Sequence, residues 1–156
     1  MHLSDHFTLE ELCKSQTALR CGIDNTPPAD TPDGKAVIAA LERVCHRILE
    51  PVRTHFGIAF APNSGYRCLE LNRELKSKDT SQHLKGEAVD LELPGIANFD
   101  LAVWIRDNLE FDQLILEFYT PGEPSSGWVH CSIKEDGNRK EVLTIGPQGT
   151  SQGLIK

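Results

Sequence analysis

The stretch Ser81-Gln82-His83-Leu84-Lys85-Gly86-Glu87-Ala88-Val89-Asp90 sets the reading of this chain. It begins as polar loop and ends as strand. From Glu87 to Leu93 the residues alternate, with Val89, Leu91 and Leu93 on one face and Ala88, Asp90 and Glu92 on the other. His83 stands seven residues before Asp90, with Gly86 between them. A glycine there permits a sharp turn, so the loop can fold back and set His83 beside Asp90.

Two later stretches alternate in the same way. In Gln113–Phe118 the residues Gln113, Ile115 and Glu117 share a face, and Leu114, Leu116 and Phe118 lie opposite. In Trp128–Ile133 the residues Trp128, His130 and Ser132 share a face, and Val129, Cys131 and Ile133 lie opposite. If the three strands are neighbours in one sheet, Asp90, Glu117 and His130 converge on the face turned away from the aliphatic residues. His83, Asp90 and His130 are then two imidazoles and a carboxylate, a good ligand set for one zinc ion with a fourth position open to water. Glu117 is a carboxylate placed to take a proton from that water. Each residue also has a plainer reading. His130 reads as a satisfied strand side chain, Asp90 as an acceptor at a sheet edge, and Glu117 as the partner of a lysine. His2, His6, His46 and His55 show no comparable pattern and are assigned to surface or local packing.

The segments upstream are helical. Thr8-Leu-Glu-Glu11 has the form of a capping box. Cys21–Gly34 is rich in proline and turn formers and reads as an extended loop. Lys35–Phe56 carries Val37, Ile38, Leu41, Val44, Cys45, Ile48, Leu49 and Val52 at helical spacing, with Pro51 expected to kink or end it. A short strand is expected near Ile58–Phe60, then a turn into a helix over about Cys68–Lys76. Asn98 is expected as the N-cap of a helix over Phe99–Leu109, and the stretch from Gly146 as a loose tail. Helices early and strands late predict an α+β fold, an antiparallel sheet packed on helices. Residues 1–145 are expected as one domain and 146–156 as a flexible tail.

Composition narrows the function classes. The chain has 156 residues, enough for one well-cored domain, and a formal net charge of −7. That acidity argues against nucleic acid or an anionic membrane as partner. No apolar run is long enough for a transmembrane helix. The start, Met1–Ser15, lacks the basic opening and apolar core of a signal peptide, so synthesis in the cytoplasm is expected. The five cysteines contain no CxxC pair and are read mostly as small buried hydrophobes.

At every fixed position, Ser81 to Asp90 resembles the Ser-x-His-x-x-Gly-x-Ala-x-Asp motif of the zinc D-Ala-D-Ala peptidases. That family includes D,D-carboxypeptidases, vancomycin-resistance dipeptidases and phage endolysins, and shares its fold with the Hedgehog signalling domain. Trp128-Val-His130 resembles its second histidine, and Ser64-Gly-Tyr-Arg67 its upstream Ser-x-Tyr/Phe-Arg element. Phe7-Thr-Leu-Glu-Glu-Leu12, Gly22-Ile-Asp-Asn-Thr-Pro-Pro28 and Leu49-Glu-Pro-Val-Arg53 look like its small single-domain branch, common in phages and prophages.

The resemblance implies a Hedgehog/DD-peptidase-like fold and one Zn2+ held by His83, Asp90 and His130. It implies a peptidoglycan stem peptide or other D-Ala-containing peptide as substrate, with Arg67 holding a carboxylate and Ser81 hydrogen-bonding near the metal. Action on the cell wall would follow release or phage-type delivery. One position departs from the family. Many members carry the catalytic acid three residues before the second histidine, where this chain has Gly127. Glu117 on the preceding strand is the expected replacement, with Glu123 a weaker one and Asp112 structural. The missing acid also motivates the alternative of a zinc-containing binding or virion-structural module without turnover.

Overall fold

A computed structural model describes all of residues 1–156. Six helices come first or between strands: α1 (Leu9–Cys13), α2 (Gln16–Cys21), α3 (Pro32–Val44), α4 (Glu50–Phe56), α5 (Leu69–Glu74) and α6 (Asn98–Asn108). Five strands, β1 (Ala88–Leu91), β2 (Gln113–Glu117), β3 (Trp128–Ser132), β4 (Glu141–Gly146) and β5 (Gly149–Gln152), form one sheet in the order β1-β3-β2-β4-β5. Neighbours are antiparallel except β2 and β4, which run parallel. The α+β expectation holds.

The alternation read from the sequence places the core. Val89, Leu91, Leu114, Leu116, Val129 and Cys131 are fully buried and pack on Leu41, Val44, Ile48 and Leu49 of the long helical segment and on Leu101 and Ile105 of α6. The other face of the same strands carries Asp90, Glu117 and His130 among Ala88, Ile115 and Trp128. The register sets Asp90 opposite His130 across β1 and β3, and Ile115 opposite His130 on the other side.

Five expectations are corrected. The helix does not break at Pro51. It runs from α3 to α4 through a π-type turn, Cys45–Leu49, in which the Glu50 N–H reaches back to the Cys45 carbonyl. The widened turn accommodates a ring that would otherwise strike the carbonyl four residues back. Ile58–Phe60 forms no strand. Asn98 is the first helical residue rather than the N-cap, because its side chain is engaged elsewhere; Ala97 occupies the cap. Phe118, expected on the core face, lies past the end of β2 with φ +55° and is exposed. Finally, the stretch expected as a loose tail forms a hairpin. β4 joins β2, β5 folds back on β4, and the Thr144 hydroxyl donates to Gly153 O and accepts from Ile155 N.

Candidate active site

His83 lies in a one-turn 3-10 segment, Gln82–Lys85, whose first N–H groups are met by the Ser81 side chain: His83 N donates to Ser81 Oγ at 3.2 Å. The segment ends at Gly86 with φ +72°, and a Cβ there would stand 2.7 Å from the Val37 carbonyl oxygen. Gly86 is therefore required both for the left-handed turn and for close packing on α3. The turn delivers His83 to the start of β1, as the sequence predicts.

His83 is buried, and its Nδ1–H donates to the Gly65 carbonyl at 2.6 Å. That bond fixes the tautomer and leaves Nε2 as the free lone pair, 3.4 Å from Asp90 Oδ1. His130 brings Nδ1 to 3.0 Å from the same oxygen. Burial lowers the His83 pKa, which keeps the ring neutral. Burial pushes the Asp90 carboxyl up, but hydrogen bonds and charge from His130 and His83 outweigh it, and the net displacement is well down. Asp90 is therefore an anion. One ligand atom from each of His83, Asp90 and His130 lies within 4.8 Å of the other two. A tetrahedral zinc ion with bonds near 2.0–2.1 Å holds its donors about 3.3–3.4 Å apart, so separations of 3.0 and 3.4 Å fit such an ion.

The remaining expected residues surround the triad. A cleft of about 830 Å³ is lined by all six residues singled out from the sequence: Arg67, Ser81, His83, Asp90, Glu117 and His130. Arg67 donates from Nη2 to Asp90 Oδ2 at 3.4 Å, from Nε to Ser64 Oγ at 3.2 Å, and from Nη1 to Ser77 Oγ at 3.3 Å. It thus braces the carboxylate oxygen turned away from the histidines. Glu117 faces the cleft from the end of β2, opposite Trp128. Burial and the Asp90 charge raise its pKa, against the pull of His130 and Arg67, and no hydrogen bond to its carboxylate contributes.

Gly127 explains the missing acid. Its φ is +66°, and a Cβ there would be driven into the Glu117 carbonyl oxygen and the Phe118 backbone. The connection between β2 and β3 closes so tightly that no side chain fits at this position. Glu123 sits in that connection on the solvent side, outside the cleft lining.

The chain's sequence matches the profile of the peptidase M15 family over residues 5–132. The chain belongs to the peptidase M15 family. No curated protein gives a significant match to it. Membership makes it a metallopeptidase by descent, of a zinc-dependent family, and its His83-Asp90-His130 group is of the kind that holds a metal ion. No helix of this M15 peptidase is long and apolar enough to cross a membrane.

Several supporting groups escape a reading by residue type. The Gly65 carbonyl that orients His83 is backbone. Asn98 is 1% exposed, and its Nδ2 donates to Ser126 O, Gly127 O and Glu92 Oε1 at 3.0, 3.2 and 3.2 Å, pinning the connection that leads into β3. An Asn before a helical pattern looks like a cap whether or not its side chain caps. Asp112 is structural, as expected, clamped by Arg139 and Lys134. Trp128 lines the cleft, whereas Tyr66 packs against the core. Cys45 and Cys131 are buried, but Cys21 is exposed.

Proposed function

We propose that this M15 peptidase hydrolyses a peptide bond in peptidoglycan stem peptides, as a D,D-carboxypeptidase or an endopeptidase. The observation that carries this reading is the placement of an unengaged carboxylate, Glu117, in the same cleft as three converging metal-ligand side chains.

His83, Asp90 and His130 would hold one Zn2+, which supplies Lewis acidity toward a peptide carbonyl and toward water when bound. Glu117 accepts the proton of the attacking water and returns it to the leaving amine. The raised pKa of Glu117 suits a base that must also act as an acid. Arg67 braces Asp90 through Nη2 and keeps further N–H groups for a substrate carboxylate, for which a guanidinium fork is well shaped. Ser81 lines the cleft while its oxygen accepts from His83 N, and its hydroxyl hydrogen remains available to a substrate carbonyl. A stem peptide as substrate places the action at the cell wall, after release or phage-type delivery.

The test is mass spectrometry of stem peptides and muropeptides incubated with the zinc-loaded chain, beside Glu117→Gln. A fragment made by the unaltered chain identifies the bond. Glu117→Gln is expected to lower kcat/KM by about 10²–10⁴ while retaining metal. Bound zinc with no cleavage of any stem peptide overturns the proposal in favour of a binding module.

A further inference from the structure

The chain carries a net charge of −7, yet six of its 16 lysines and arginines line one cleft: Arg67, Lys76, Lys78, Lys85, Lys134 and Arg139. Three of these are already paired, Arg67 with Asp90. Lys134 lies 3.6 Å from Asp112 Oδ1, and Arg139 is bidentate on the same carboxylate. Lys76, Lys78 and Lys85 are exposed and have no carboxylate within ion-pair reach. Opposing them on the lining, once Asp90 and Asp112 are assigned to their clusters, are Glu87 and Glu117.

These three lysines sit on a fixed wall. Lys76 and Lys78 flank Ser77, whose hydroxyl accepts from Arg67. The loop that carries them is held from beneath by fully buried Asn72, which donates from Nδ2 to Lys78 O at 2.9 Å and to Ser77 O at 3.5 Å. Arg73 and Asp79 close the same loop from outside, Nη2 to Oδ2 at 2.8 Å. Lys76 adopts φ +59°, the left-handed state that ends α5 just past its C-cap Leu75. Lys85 follows His83 by two residues on the 3-10 turn. Three lysines without an ion-pair partner on the lining of one cleft make that wall cationic, and it attracts an anionic ligand.

We propose that Lys76, Lys78 and Lys85 are specificity residues that bind a second carboxylate of the peptide, on a residue beyond the one at the scissile bond. The inference rests on the metallopeptidase reading of the cleft. Within stem peptides the fitting group is the free α-carboxylate of D-glutamate linked through its side chain, and its conversion to a carboxamide would weaken recognition. Because the wall acts on charge, the preference declines with salt.

The experiment is equilibrium binding of two synthetic tetrapeptides, Ala-D-isoGlu-Lys-D-Ala and its D-isoglutamine twin, to the zinc-loaded full chain carrying Glu117→Gln. The free carboxylate is expected to bind about fivefold or more tighter, on the scale of a few partly exposed ion pairs. Replacing the three lysines with glutamine should bring the ratio to about one, while replacing them with arginine should preserve it. Equal affinity of the two peptides, or a preference that survives the triple glutamine change, overturns the proposal. Binding is read without turnover, so a chain that binds with this preference and cuts nothing would sink the peptidase reading alone.

Discussion

Gly127 and Glu117 form one unit. The glycine lets the start of β3 lie against the end of β2, and that closeness leaves Glu117 as the cleft-facing carboxylate at the end of β2. Restoring an acid at the family's other position is therefore expected to fail. Gly127→Glu must adopt φ +66° with a side chain and push Cβ into the Glu117 carbonyl. It should cost at least about 2 kcal/mol in urea denaturation. Placed on Glu117→Gln, it should recover no turnover. Recovered activity would mean that the β2–β3 connection is softer than its geometry, and that the acid's position is interchangeable. The grouping of His83, Asp90 and His130 was legible because residue type and spacing carried it. His83, Gly86 and Asp90 lie within one short segment, and the face of His130 followed from strand alternation. The need for glycine at position 127 was not legible, since it arises from a backbone contact between two strands.

Elements were legible where burial imposed a period. β1, β3 and β2 lie side by side over the helices, and their core-facing positions are apolar and fully buried. β4, between β2 and the edge strand β5, is only partly buried and β5 is exposed, so no face is enforced in the sequence. What fixes β4 is a long-range clamp. Asp112 accepts at Oδ1 from Arg139 N and Nε at 3.0 and 3.1 Å, and at Oδ2 from Nη2 at 2.8 Å. Its backbone N–H donates to Ser132 O, and its carbonyl accepts from Glu141 N, so β2, β3 and β4 meet at this residue. Hydrogen bonds from Arg139 hold the Asp112 carboxyl down at about 2. A folded pKa below the unfolded value means the stabilisation is complete above about pH 4 and is lost as pH falls through about 2. Asp112→Asn should then cost about 2 kcal/mol at neutral pH, with β4 the first strand to lose amide protection. The gap between variant and parent should narrow in denaturation curves taken from about pH 4 down to about pH 2. A gap that stays constant across that range would place the stabilisation in packing rather than in the ionised carboxylate.

At the scale of the molecule, the candidate metal site and the hydrophobic core lie on opposite faces of the same sheet. The core is a single cluster of 22 buried residues, and none of His83, Asp90 and His130 belongs to it. Without an ion the Asp90 carboxylate is still met by His130 and Arg67, and His83 by the Gly65 carbonyl. The chain should therefore remain folded when chelated, unlike small domains whose core is built around a metal. An ion bound only by the folded state adds RT ln(1 + [L]/Kd), about 4 kcal/mol at a thousandfold excess over Kd. For a chain of this length that corresponds to a fall of roughly 10 °C in the thermal midpoint on chelation, with the far-ultraviolet spectrum unchanged. Asp90→Ala should abolish the zinc-dependent part of that shift, because it removes the ligand that both histidines approach. Complete unfolding on chelation would show that the ion is needed to build the fold. A midpoint indifferent to both chelator and Asp90→Ala would show that no ion sits at this triad. A cooperative transition that falls by several degrees and recovers when zinc is restored is the outcome this division of the sheet requires: one face sets stability, and the other, held rigid by it, is left free to bind.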